Sequence, residues 1–91
     1  MSQEKLTPQQ MWMLTGRPPQ KVQLAFGRRV LGLRNFLGYS QRELAERTGL
    51  LQHHIVQIEH GRVWPKLQTI QKLAKALNTD LADLVAFDEV S

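Results

Sequence analysis

The chain contains no cysteine, which excludes a disulfide scaffold and any thiolate zinc site. Long apolar runs are missing too. No stretch approaches the roughly 18 residues that a membrane span needs, and residues 1–20 lack the basic start and apolar block of a secretory signal. Nothing alternates apolar and polar residues for long enough to make a strand, and there is no internal repeat or low-complexity segment. Acids are in the minority, eight against twelve Lys and Arg, for a formal net charge of +4. At 91 residues there is room for one domain with one core, and none for a doubly wound nucleotide-binding sheet. Apolar residues make up 42% of the chain, an ordinary share for a globular protein and too much for a disordered tail. A soluble, cytoplasmic protein is the expectation.

The charge is unevenly distributed. Residues 17–66 carry nine basic side chains and three acids (Glu43, Glu46, Glu59), a local +6, whereas residues 67–91 sum to −2. A cationic block of this kind fits a polyanionic partner, nucleic acid before anionic membrane, or simply a well-solvated surface.

Spacing organises the chain into helices. Thr7-Pro8 reads as an N-cap followed by proline at the first helical position, opening a short helix to about Leu14. Gly16 and Pro18-Pro19 break it. Phe26, Val30, Leu33 and Leu37 share one face of a helix over about 21–37, which Gly38 ends. Ser40-Gln41-Arg42-Glu43 is a capping box that opens a helix to Thr48, with Leu44 and Ala45 facing inward. Gly49 stops that helix. A second short one follows over 52–59 with Ile55 and Ile58 inward, and Gly61 stops it. Leu67, Ile70, Leu73, Ala74 and Leu77 form the stripe of another helix. Asp80 is expected to cap a last one, with Leu81, Leu84 and Val85 inward. The fold class is therefore all-α, with about five short helices: an N-terminal arm over residues 1–20, a domain over 21–87 and a tail over 88–91.

The most informative part is the pair of short helices joined through Gly49. Such a unit needs a small residue where its helices touch, which Ala45 supplies. It needs a turn residue tolerant of positive φ, which Gly49 supplies, and apolar residues that lock the second helix, here Leu50, Ile55 and Ile58. The order Phe26-Gly27 to Arg34, Ser40-Gln41-Arg42-Glu43-Leu44-Ala45, Gly49, Ile55-Val56-Gln57-Ile58-Glu59-His60-Gly61, Pro65 and Leu73-Ala74-Lys75-Ala76-Leu77 resembles the Cro/phage-repressor family of helix-turn-helix DNA-binding domains, also called the xenobiotic-response-element type. The resemblance covers about Phe26 to Val85. It implies a five-helix repressor-like domain whose second motif helix enters the DNA major groove.

Carried over by position, that resemblance makes Gln52, His53, His54 and Gln57 the base-reading residues. Gln52 and Gln57 are the best suited, because glutamine can pair bidentately with adenine. It assigns phosphate contacts to Gln41, His60, Arg62 and Lys66, and an internal ion pair to Arg34 and Glu59. Arg34 could alternatively touch a phosphate with spare donors. The implied function is a transcriptional regulator, a repressor type, binding duplex DNA at the nucleoid as a homodimer on an inverted repeat. The contrasting reading is an antitoxin-like or regulatory module in which the arm or the C-terminal helix binds a protein and DNA contact is secondary.

Several residues depart from the family pattern. Leu51 stands where Ser or Thr usually caps the reading helix, which loses about 1 kcal/mol of capping and puts an apolar group beside the groove. Val56 occupies a usually polar position, and Lys66 replaces another cap. His53 and His54 are adjacent and point about 100° apart on a helix. With no cysteine and only Glu59 nearby, no metal site is expected, and no cofactor. No Ser-His-acid set, phosphate-cradling loop or carboxylate cluster suggests an enzyme. Trp64 is expected to plug the core or an interface behind the loop, the alternative being a DNA contact. Leu24, Leu31 and Phe36 lie off the main apolar face of the first long helix, where Met11, Trp12 and Leu14 of the arm are expected to pack. The dimer surface is expected either on the arm or on the last helix, with Val85, Phe87 and Val90.

Overall fold

The computed structural model describes residues 6–8, 10–11 and 16–87. Trp12, Leu14, Val90 and the tail 88–91 lie outside the described residues, and so do the expectations placed on them. Among the described residues, Pro8, Gln10 and Met11 in the arm are helical, and five helices are bounded in order: α1 (Gln20–Phe36), α2 (Gln41–Thr48), α3 (Gln52–Glu59), α4 (Leu67–Ala76) and α5 (Leu81–Leu84). Among the described residues there is no strand. Their boundaries fall within a residue or so of where the apolar spacing and the turn residues place them.

Four of the five helices end with the same device. A left-handed residue stands at or just after the cap (Gly38, Gly49, Gly61 and Asn78, φ 77°, 75°, 70° and 57°). The next residue then donates its N–H five positions back: Tyr39 to Arg34 O, Leu50 to Ala45 O, Arg62 to Gln57 O and Thr79 to Ala74 O, all 3.0–3.1 Å. This pairing satisfies carbonyls that a helix end leaves without partners, and it forces each turn to be short.

Short turns fold the helices around one core of Phe26, Val30, Leu44, Ile55, Ile58, Ile70, Leu73, Leu77, Leu84 and Val85, each essentially inaccessible. Trp64 closes this core from the α3–α4 loop, its ring edge-on to Phe26 at 4.9 Å. At Gly27 the backbones of α1 and α3 meet. A Cβ there would overlap the Ile58 carbonyl oxygen.

The expected cap at Asp80 does not form. Asp80 has the extended N-cap backbone but makes no side-chain cap bond. Asp80 is exposed, and the helix it precedes is a single turn of four residues. The last helix is instead held at its other end. A one-turn helix leaves its final carbonyls without donors, and two side chains from elsewhere supply them. Arg29 Nη1 donates to Asp83 O and Ala86 O, both at 2.7 Å, with its guanidinium 4.6 Å from the Phe87 ring centre. Gln10 Nε2 donates to Ala82 O (2.9 Å) and Val85 O (3.4 Å).

Of the arm residues expected to pack on α1 only Met11 is described, and it is exposed (54%), as are Leu31 and Phe36 on α1 (36% and 86%). The described arm residues meet α5 through Gln10 and place Leu6 against the core. Val85 is fully buried within its own chain and Phe87 lies under Arg29, so Val85 is excluded as a dimer contact. Gln10 is itself fixed by a reciprocal box, Thr7 N–H to Gln10 Oε1 (3.0 Å) and Gln10 N–H to Thr7 Oγ1 (3.1 Å). Gln10→Ala is expected to lower stability by about 1 kcal/mol, leaving two part-buried carbonyls without this donor. A melting curve identical to wild type would show that the arm does not hold α5.

Candidate nucleic-acid interface

The candidate site is the outward face of α3, and α2 is what aims it. Ser40 and Glu43 form the complete capping box, Glu43 N–H to Ser40 Oγ at 3.0 Å and Ser40 N–H to Glu43 Oε1 at 2.7 Å. At the other end of α2, Thr48 Oγ1 donates to Leu44 O at 2.8 Å and accepts from Leu50 N–H at 3.3 Å. The turn between the two helices is thereby fixed on both sides of Gly49. Leu50 is half-buried against the core, and Ile55 and Ile58 anchor α3 from beneath.

With Ile55 and Ile58 inward, a rotation of about 100° per residue turns His53, Gln57 and His60 outward, with Gln52 on the flank at the first turn. Gln52 and His53 are exposed, whereas His54 is half-buried and turned aside from that face. Gln57 is half-buried, and Arg62 Nη1 donates to its Oε1 at 3.3 Å, so the side-chain oxygen is shared with the loop. The His60 ring is tied back by Nδ1 to Val56 O at 2.9 Å. A carbonyl only accepts, so Nδ1 carries the proton in this contact and Nε2 faces away from it. Arg62 and Lys66 are exposed in the loop after α3.

Beneath the face lies a buried ionic cluster. Arg34 Nε meets Glu59 Oε2 at 2.6 Å and Arg34 Nη2 meets Glu59 Oε1 at 3.0 Å, with side-chain exposures of 10% and 3%. Nη1 donates to Tyr39 O (2.8 Å) and Asn35 Oδ1 (3.3 Å). Four of the guanidinium's five N–H donors are thus placed inside the protein, leaving little of it for any external anion. Gln41 Nε2 also donates to Glu59 Oε1, at 3.0 Å. The side-chain amide of Gln41 is therefore engaged with the last residue of α3. Sequence reading missed this bond, since an 18-residue separation across two helices leaves no periodic signal. It also missed Arg47, whose guanidinium lies 4.2 Å from the Tyr39 ring centre.

Among the described residues no group of three or more His, Asp or Glu could hold a metal, and no helix is long and apolar enough to cross a membrane. An open depression of about 390 Å³, lined by Ala74, Lys75, Asn78, Thr79, Asp80 and Asp83, shares no residue with the α3 face.

Comparison with known proteins identifies the family. The helix-turn-helix family HTH_3 matches residues 33–84. The HTH-type transcriptional regulator PuuR of Escherichia coli K12 is 38% identical over 66 residues, 72% of this chain and 36% of that protein. The chain thus spans about a third of PuuR's length. An uncharacterized HTH-type transcriptional regulator of Archaeoglobus fulgidus is 34% identical over 61 residues, 67% of this chain and 87% of that protein. Among solved structures, the restriction-modification controller protein C.AhdI from Aeromonas hydrophila superposes with a TM-score of 0.66 at 35% identity, covering 68% of this chain and 94% of that one. The hypothetical transcription factor NHTF from Neisseria gives a TM-score of 0.70 at 26% identity, covering 79% and 84%.

Proposed function

The chain belongs to the helix-turn-helix family HTH_3, and on that premise we propose that it is a transcriptional regulator that binds double-stranded DNA sequence-specifically, in the cytoplasm, as a homodimer on an inverted repeat. The observation that carries this reading is the rigid polar face of α3: Gln52, His53 and Gln57 point away from a core that Ile55 and Ile58 lock beneath them. Glutamine can pair bidentately with adenine N6 and N7, so Gln52 and Gln57 are the base readers, with His53 beside them and His54 at the margin. His60, Arg62 and Lys66 supply phosphate contacts from the following loop. Gln41 contributes through its main-chain N–H at the start of α2, since its side chain is held by Glu59. Helix N-termini offer such donors to phosphate oxygens. Arg34 and Glu59 keep α1 and α3 in register and touch no DNA. The reading assigns no catalytic residue.

Dimerisation follows from size. An eight-residue helix is about 12 Å long and reaches only a few base pairs. Two copies about 34 Å apart read successive major grooves.

Binding measured across salt concentrations tests the proposal. Log K for duplex DNA is expected to fall linearly with log salt, and Arg62→Ala to reduce that slope by about one phosphate. Gln52→Ala is expected to leave the slope unchanged and lower discrimination at one base position by about 1–3 kcal/mol. Binding that is insensitive to salt, or to Arg62, would refute the assignment of the loop to phosphates.

A further inference from the structure

Leu51 is an apolar side chain with nothing in its own protein to do. It is 78% exposed and stands at the N-cap of α3 (φ −71°, ψ 143°), where it makes no cap bond. Ser, Thr, Asp or Asn would cap the helix there. Isolated exposed leucines are ordinary on protein surfaces; the setting of this one is not. Its carbonyl accepts from His54 N–H (3.0 Å) and Ile55 N–H (3.2 Å). The preceding residue, Leu50, is held against the core, its N–H on Ala45 O. The backbone is therefore fixed on both sides, and the Leu51 side chain cannot turn inward. It projects at the leading end of the α3 face, next to Gln52.

A leucine side chain has no hydrogen-bonding group. In the major groove the base edges present donors and acceptors throughout, apart from the C5-methyl of thymine. We infer that Leu51 is a specificity-determining residue that reads the C5-methyl group of one thymine per half-site, next to the base pair read by Gln52. This rests on the DNA-binding reading above and adds a base and an atom to it.

Uracil tests the inference, because it lacks only that methyl and keeps the pairing edge and the groove acceptors of thymine. On a duplex selected for tight binding, each thymine is replaced singly by uracil. For the wild-type protein, one replacement per half-site is expected to weaken binding about fourfold, the worth of one buried methyl. For Leu51→Ser the same replacement is expected to change nothing, while the salt slope is retained. Leu51→Ser also supplies the missing cap, so its melting temperature should equal or exceed that of the wild type, which keeps misfolding out of the comparison. Leu51→Ala, which neither caps nor reaches the methyl, should likewise be blind to uracil. Equal uracil penalties in wild type and both variants would overturn the role of Leu51 while leaving base reading by α3 intact. Failure to select any duplex over random DNA would overturn base reading itself, and this inference with it.

Discussion

Gly27→Ala is expected to cost the domain at least about 3 kcal/mol. The added Cβ would overlap the carbonyl oxygen of Ile58 and lie 2.7 Å from that of Glu59. Both are backbone atoms at the end of α3, so no rotamer change relieves the clash, and α1 and α3 must move apart. That movement also pulls Arg34 from Glu59, which are on the same two helices. Gly32, five residues on in α1, has nothing within 4 Å of its own Cβ position. Gly32→Ala should therefore stabilise by about 0.5–1 kcal/mol, the helix propensity difference alone. For a domain of this size about 1 kcal/mol moves the melting temperature by roughly 4–8 °C. The two substitutions should thus shift it in opposite directions, the first by well over 10 °C. Small shifts of the same sign in both would mean that α1 and α3 do not pack backbone to backbone.

Glu59→Ala should be comparably severe, about 3–5 kcal/mol. It would leave the Arg34 guanidinium buried without its carboxylate and Gln41 without its acceptor. The cost lies in stranding a charge more than in losing an attraction. The double variant Arg34→Met, Glu59→Leu removes both charges and keeps the volume, and it should recover most of the loss. Urea unfolding of the wild type, Arg34→Met, Glu59→Leu and the double variant completes the cycle. Additive losses would contradict direct coupling of the two side chains.

What could be read from the residues, and what could not, divides by the range of the interaction. Gly49, Gly61 and the Ser40–Glu43 box act within one turn of their own helices, so composition and spacing reveal them. Periodicity also places Ile55 and Ile58 inward, and with them the outward face of α3. Asp80 looks identical to a working cap in sequence, yet it precedes a single four-residue turn and makes no cap bond. Val85 was expected either inward or at a dimer surface; only packing separates the two, and it is fully buried. Gln10 reaches across 72 residues to the end of α5, and Gln41 across 18 to Glu59. Neither separation carries a helical period. The arm's docking on α5 and the hold of α2 on α3 through Gln41 therefore emerge only in three dimensions. The Arg34–Glu59 pairing was legible by resemblance alone.

Selection of bound sequences from a random DNA pool tests the central claim most directly. The account predicts enrichment of an inverted repeat with half-sites about one helical turn apart, bound about a thousandfold or more tighter than random duplex at the same salt. It also predicts loss of preference at one position of each half-site in Gln52→Ala. Equal affinity for the selected pool and for random duplex would contradict it.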